Sequence, residues 1–520
     1  MDHNRRQVWT TAILDQSVMA KQDTFRDLAL APKEGTRELW RWLYTELRAA
    51  ILDGRLRAGA LLPSSRSLGA QYGLARGTVV TAFEQLHDEG YLETERGIGT
   101  RVSLHLAESA VKRRRGRIGS QRGISKRAQR ALLGAKALPL GHAVGRAFRS
   151  YEPAIDLFPI ETWTRVASRV LRRAPRNLYG QGEPGGYMPL RKAIAEYVGL
   201  SRGVRCTPRQ VIVTAGAQQA LDLIFRLLLD EGDQAWIEDP GYPGAMQAMK
   251  AAGVEPIFVP VDDEGLRVSK GIELAPKAQL AYVTPSNQFP LGYTMSASRR
   301  LQLLKWASSA GSWIVEDEYD AEYRYAGRPV ASLHSLDRTG RVLYIGTFTK
   351  MLFNALRLGF LVVPEHLIEP VELARSFIDP HPPSLDQAIL AEFISDGHFG
   401  HHVRKMRAVY LERSQLLIEL GKKHLGGILE IQTPESGMKT IGWLAQNRGD
   451  LVAAKRAEDV GLEVIPISTF AQKCDVRPGL MLGFAGCQEN ELRRGSRLLA
   501  SVLSRSRTTI LPATGFRPRQ

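Results

Sequence analysis

Apolar positions in the first hundred residues recur at helical spacing, and the polar residues between them supply the stops. In ELWRWLYTELRAAILDG, Leu39, Leu43, Leu47 and Ile51 form one stripe, and Gly54 suits the residue just past a helix end. LPSSRSLGAQYG comes next, with Pro63, then Ser64 as the N-cap of a two-turn helix, and Gly73 to stop it. After Leu74-Ala75, RGTVVTAFEQLHDEG predicts a third helix with Val79, Phe83 and Leu86 on its apolar side and Gly90 at its end. YLETERGIGTRV then alternates as two short strands around a turn carrying Gly97 and Gly99. Three helices and a hairpin make the winged helix-turn-helix plan.

From Tyr151 onward the pattern changes. QVIVTAG, QAWIEDPGYPG, QLAYVTPSNQFP, SWIVEDEYD, VLYIGTFTK and LGFLVVP are short apolar runs that alternate with helical segments, and most end in Gly, Pro or polar residues. Such runs predict strands buried on both faces of a mostly parallel α/β sheet. Ligand sites in these sheets gather at the carboxyl ends of the strands, so the polar residues just past each run carry the chemistry.

Between the two patterns, VKRRRGRIGSQRGISKRAQR holds Lys112, Arg113, Arg114, Arg115, Arg117, Arg122, Lys126, Arg127 and Arg130 with no acidic residue. A run of this kind stays solvated and reads as a linker. The expected organisation is an extension over 1–35, the helical module over 36–102, a basic linker over 103–150, the α/β domain over 151–505 and a basic tail over 506–520. Across 520 residues, 70 Lys and Arg against 54 Asp and Glu leave a formal charge of +16, which favours a polyanionic partner. Three cysteines, Cys206, Cys474 and Cys487, lie without ligand spacing, so neither a disulfide framework nor a metal site is expected and a reducing cytoplasm fits. No apolar run reaches membrane-spanning length.

In a helix-turn-helix the helix after the turn enters the major groove of double-stranded DNA with its first residues on base edges. Those residues are Arg76, which can bond guanine bidentately, and Thr78. Arg66 begins the preceding helix and is placed for a phosphate, and Arg96 with Gly97 forms a wing tip able to approach a groove. The stretch from LPSSRSLG to GIGTRV resembles the GntR-type winged helix over about Glu38 to Val102, with Gly69 where that family usually has alanine. The resemblance implies DNA contacts at Arg66, Arg76, Thr78, Arg96 and Gly97.

Lys350 lies just past a strand, flanked by Thr347, Thr349 and Arg357. A lysine beside hydroxyls and an arginine suits a cofactor with an aldehyde and a phosphate, pyridoxal 5′-phosphate. That cofactor also needs a carboxylate at its ring nitrogen. Asp317 and Tyr319, two apart at a strand end, project to one side and suit the ring nitrogen and the phenolic oxygen. Ala215-Gly216-Ala217 turns a strand into a helix whose free amides suit a phosphate, and Tyr242 offers a ring to stack on the pyridine. Asn287 or Gln288 could donate to the phenolic oxygen. YGQGEPGGYMPLRKAIAEY, EDPGYPG, TPSNQFPLG and GTFTKMLFNALRLGF resemble a fold-type I aminotransferase domain with large and small subdomains, and with the GntR-type head the chain is similar to MocR/GabR regulators. The resemblance implies a Schiff-base Lys350, Asp317 at the pyridine nitrogen, Tyr319 at the phenolic oxygen and Tyr242 stacked. It places Gly216, Ala217, Gln218, Thr347, Thr349 and Arg357 at the phosphate, and implies a head-to-tail homodimer.

Aminotransferases commonly hold the substrate carboxylate with an arginine in a segment like R-x-x-F-A. The corresponding segment is GLMLGFAG, with Met481 at that place and Arg477 four residues earlier in what reads as a strand. Methionine cannot bridge a carboxylate. The favoured expectation is a transcription factor that senses a small amine, an amino acid or pyridoxal phosphate itself. The alternative is a working aminotransferase with an accessory DNA-binding head.

Overall fold

The computed structural model describes residues 30, 38–95, 97–104, 124–125, 128–129, 132, 146–326, 331–445 and 448–504. Arg96, most of the expected extension and linker, and the tail over 506–520 lie outside the described residues. The chain forms two compact units, Met1–Gly123 and Ile124–Gln520.

The first unit contains helices α1 (Leu39–Leu52), α2 (Ser65–Tyr72) and α3 (Arg76–Asp88) and strands β1 (Leu92–Glu95) and β2 (Gly99–Val102). Leu43, Leu47 and Ile51 of the predicted stripe are buried, with Leu68, Val79, Leu86, Leu92 and Val102 in the same cluster. Ser64 caps α2 by accepting the Ser67 N–H at 3.2 Å, and Gly73 ends the helix in the left-handed region at φ 62°. Gly69 has a steric reason: a Cβ there would stand 2.8 Å from the Leu74 carbonyl oxygen, where the chain turns toward α3. The hairpin pairs Leu92 with Val102 and Glu95 with Gly99, antiparallel.

The second unit is built on an eight-stranded sheet of β3 (Val211–Thr214), β4 (Gln234–Asp239), β5 (Glu255–Asp262), β6 (Gly265–Leu266), β7 (Leu280–Val283), β8 (Trp313–Glu318), β9 (Val342–Thr347) and β10 (Gly359–Val362). The order is β3-β10-β9-β8-β7-β4-β5-β6. The pairs among β4, β5, β7, β8 and β9 are parallel, as the apolar runs imply. The LGFLVVP strand β10 departs from that direction and is antiparallel to both neighbours, and β6 is antiparallel to β5. Both faces are covered: Ile212, Leu343 and Leu361 belong to one apolar cluster, and Val211, Val213, Tyr344, Phe360 and Val362 to another. Helices α4 (Ala217–Leu228) and α5 (Pro243–Ala252) pack into the first of these. A second, antiparallel sheet has the order β11-β12-β14-β13, from β11 (Leu429–Ile431), β12 (Lys439–Leu444), β13 (Ile465–Pro466) and β14 (Gly479–Gly483).

Candidate functional site

The parallel strands end together, and residues at and just past their carboxyl ends line a cavity of about 340 Å³. Lys350, Asp317, Tyr319, Tyr242, Gly216, Ala217, Gln218, Thr347, Thr349 and Arg357 all border it. Arg357 reaches the cavity because β10 runs backwards, so the residues before it arrive at the end where the parallel strands finish.

The β3–α4 turn is shaped by glycine. Gly216 has φ 99° and ψ 176°, a conformation that residues with a Cβ avoid, and it leads into the first amides of α4. A Cβ on Gly359 would stand 2.8 Å from the Gly216 Cα, so two glycines let β10 start against this turn. Arg357 also occupies the left-handed region, at φ 50° without being glycine, and its Nη2 donates to the Ala215 carbonyl at 2.8 Å. Thr347 Oγ1 accepts the Thr349 N–H at 3.2 Å, while the buried Thr349 Oγ1 has no partner among the described residues. Amides, two hydroxyls and a guanidinium thus converge at one end of the cavity. That set suits a phosphate dianion.

Lys350 Nζ donates to the Tyr151 carbonyl at 2.7 Å and to Asn354 Oδ1 at 3.5 Å, and lies 5.4 Å from the Tyr151 ring centroid. Burial is the main cause that pulls its amine down to about 8, with Arg357 adding to the effect and Asp320 and Glu152 opposing it. Asp317 is buried at the end of β8 and takes the Tyr282 hydroxyl on Oδ2 at 2.8 Å. Its Oδ1 has no partner among the described residues, and burial pushes the carboxyl up to about 7 against the opposing Tyr282 bond. An unpaired buried carboxylate oxygen facing a cavity asks for a cationic N–H, such as a protonated pyridine nitrogen. The Tyr242 ring meets Phe289 edge-on at 5.5 Å, and burial raises its hydroxyl to about 12.

Tyr319 donates its hydroxyl to the Asn287 carbonyl at 2.8 Å. Neither amide expected at the phenolic oxygen borders the cavity. Asn287 Nδ2 gives both its contacts to Asp320, at 2.8 and 3.0 Å, and Gln288 Nε2 donates to the Pro240 and Phe289 carbonyls. Tyr282, Tyr151, Asp320 and Lys439 join the site although the sequence pattern does not single them out. Tyr282 lies inside an apolar run, Tyr151 stands at a domain boundary, and Asp320 comes directly after Tyr319 in EDEYD. Lys439 belongs to another sheet.

Met481 is fully buried in β14, in a cluster with Phe289, Ile441 and Ile465. Arg477 precedes β14 rather than lying in a strand, and pairs with Glu430 at 3.0 Å. It does not border the cavity.

In the first unit, Arg66 and Arg76 are exposed in the opening turns of α2 and α3, and neither makes a hydrogen bond or ion pair among the described residues. Three other arginines of this unit are paired: Arg41 with Glu38, Arg55 with Asp53 and Arg101 with Glu95. Thr78 is half-buried in the first turn of α3, and Gly97 is exposed in the hairpin turn at φ 88°.

Comparison with known proteins agrees with both halves. Residues 41–102 match the gntR family of bacterial regulatory proteins, and residues 150–497 match aminotransferase class I and II. The probable rhizopine catabolism regulatory protein MocR of Rhizobium meliloti is 40% identical over 89% of this chain and 93% of its own length. The pyridoxine biosynthesis transcriptional regulator PdxR of Corynebacterium glutamicum is 30% identical over 90% of this chain and 96% of its own. Among solved structures, the multiple substrate aminotransferase of Thermococcus profundus is 30% identical, with a TM-score of 0.66 over 73% of this chain and 97% of that one. The chain belongs to the MocR-type transcriptional regulators, with a gntR-family DNA-binding head and an aminotransferase class I and II domain whose cofactor is pyridoxal 5′-phosphate.

Proposed function

We propose that the protein senses an amine-bearing metabolite at Lys350 and converts occupancy of that site into a change in operator affinity. The observation that carries this reading is the Lys350 amine in the same cavity as Asp317, bonded among the described residues only to a carbonyl and an amide oxygen, with burial drawing its pKa down to about 8. When bound, pyridoxal phosphate supplies an aldehyde carbon at which one primary amine exchanges for another. Lys350 is the resident amine, and its lowered pKa keeps an appreciable neutral fraction at neutral pH. Asp317 would accept a hydrogen bond from the ring N–H on Oδ1 and so keep that nitrogen protonated, with Tyr282 fixing the carboxylate and Tyr242 available to cover the ring. Gly216, Ala217, Gln218, Thr347, Thr349 and Arg357 would hold the phosphate, and Tyr319 would serve the phenolic oxygen.

Met438 and Lys439, at the start of β12, border the same cavity as the ends of the large sheet, so a ligand there touches both sheets. A ligand that prefers one spacing of the two sheets shifts the population toward it. In a head-to-tail homodimer that shift alters the spacing of two winged helices, whose Arg66, Arg76, Thr78, Arg96 and Gly97 contact DNA. The basic segments over 103–150 and 506–520 add phosphate attraction.

The test uses DNA upstream of the protein's own gene and its neighbours, with binding followed by fluorescence anisotropy. Amines that change the visible absorbance of the bound cofactor are expected to change operator affinity. Lys350→Ala is expected to remove that response while leaving basal DNA binding. An undiminished response in Lys350→Ala would falsify the reading. Sustained transfer of amino groups to a keto acid, abolished by Lys350→Ala and indifferent to Arg76→Ala, would instead favour an aminotransferase.

A further inference from the structure

Lys439 opens β12 and is the least exposed lysine among the described residues, at 6% exposure. Its Nζ makes two long hydrogen bonds, both to neutral oxygens: the Pro290 carbonyl at 3.5 Å and the Tyr319 hydroxyl at 3.3 Å. The ring centroids of Phe289 and Tyr319 lie 5.1 and 5.6 Å away. Buried arginines in this unit are treated differently. Arg191 has Glu372 at 3.0 Å, Arg300 has Glu316 at 3.5 Å and Arg375 has Asp379 at 3.5 Å.

Among the described residues this buried ammonium has ring faces and long neutral bonds around it and no carboxylate at ion-pair distance to offset its desolvation. Asp320, the acid whose charge it feels, has both oxygens engaged by Asn287 Nδ2. Nor can the neighbouring strand cover it. Lys439 pairs across the sheet with Gly483, where a Cβ would stand 1.8 Å from the Arg149 carbonyl oxygen. The next pair on that face is Ile441 with Met481, inside the apolar cluster. The small sheet therefore presents its cation to the cavity from β12, while β14 presents none.

We propose that Lys439 is the anion anchor of the effector subsite, and that the effector is an amine that also carries a carboxylate. This rests on the amine-sensing reading above. The ligand's nitrogen takes the place of Lys350, and its carboxylate accepts from Lys439, which borders the same cavity. Lys439 thereby supplies what methionine at 481 cannot.

The test uses purified holo-protein and two matched pairs of probes, L-alanine with L-alaninamide and β-alanine with β-alaninamide. Each is titrated while the visible absorbance of the bound cofactor is followed. For at least one pair, wild type is expected to respond to the carboxylate at a concentration about tenfold or more below that for the amide. Lys439→Met is expected to bring that ratio toward one, and Lys439→Arg, which keeps the charge, to retain a preference. Equal responses to acid and amide in wild type overturn the anchor while leaving amine sensing intact, and that measurement needs no variant. A preference that survives Lys439→Met also overturns it. No absorbance response to any of the four probes overturns both readings together.

Discussion

Asp317 is a carboxyl group placed where the ionised form is costly until a cation arrives. Its folded pKa of about 7 stands above the ordinary value of 3.8, chiefly through burial. The stability this group contributes to the cofactor-free protein is therefore fully present below about pH 4 and is lost as pH rises through 7. Asp317→Asn removes the charge but keeps an oxygen for the Tyr282 hydroxyl. At pH 8 this change is expected to stabilise the cofactor-free protein by about 1–3 kcal/mol, because it removes the cost of ionising a buried carboxyl and leaves an unpartnered but neutral amide in its place. It is also expected to abolish most of the stabilisation that added pyridoxal phosphate gives wild type. Thermal melts with and without cofactor check both signs, and a variant less stable than wild type without cofactor refutes the account. Asp317 and Lys350 are legible in the sequence because each sits at a strand's end and bears the chemistry the cofactor needs. Tyr282 is not, since a tyrosine inside a four-residue apolar strand looks like core, and only the neighbouring strand's Asp317 gives its hydroxyl a purpose.

At the scale of elements, the boundaries that local chemistry sets are readable and those set by pairing are not. Ser64, Gly73 and Gly90 mark helix ends through capping and positive φ, which depend on a few residues in a row. The direction of β10 depends on partners at both edges, and LGFLVVP carries the same buried pattern whichever way it runs. That direction brings Arg357 beside the Gly216 turn, so the cup proposed for the phosphate is a property of the pairing. Gly216→Ala tests the turn. Its φ of 99° is strained for alanine, and the added Cβ would stand 3.4 Å from Arg357 Nη2. The expected result is a loss of about tenfold or more in pyridoxal phosphate affinity, measured by fluorescence titration of the cofactor-free protein. Gly69→Ala makes the parallel case in the head. The family's usual alanine would press on the Leu74 carbonyl at 2.8 Å, a fixed backbone atom. It is expected to destabilise the head by about 1–3 kcal/mol in urea unfolding of the full chain.

For the whole molecule the question is how a cofactor cavity and a DNA-binding head act as one thermodynamic system. With a formal charge of +16 the chain is attracted to any DNA, so the head must add selectivity to a large nonspecific term. With Arg66 as the proposed phosphate contact, Arg66→Ala is expected to weaken operator and random DNA alike and to lower the salt slope by about 1. With Arg76 as the proposed base contact, Arg76→Ala is expected to narrow the gap between them. Coupling to the cavity adds a stricter condition. If an effector changes operator affinity by a factor, typically about 5- to 150-fold for allosteric proteins, operator DNA must change effector affinity by the same factor. Equality of the two factors holds only if both ligands bind the same coupled system at equilibrium. The measurement is a pair of titrations at one salt concentration: effector against holo-protein with and without saturating operator, and operator with and without saturating effector. Equal factors in wild type, both falling to one in Lys350→Ala, are expected. A change in operator affinity that random DNA shares equally would trace the effect to charge, and the cavity would then have no route to the promoter through Arg76.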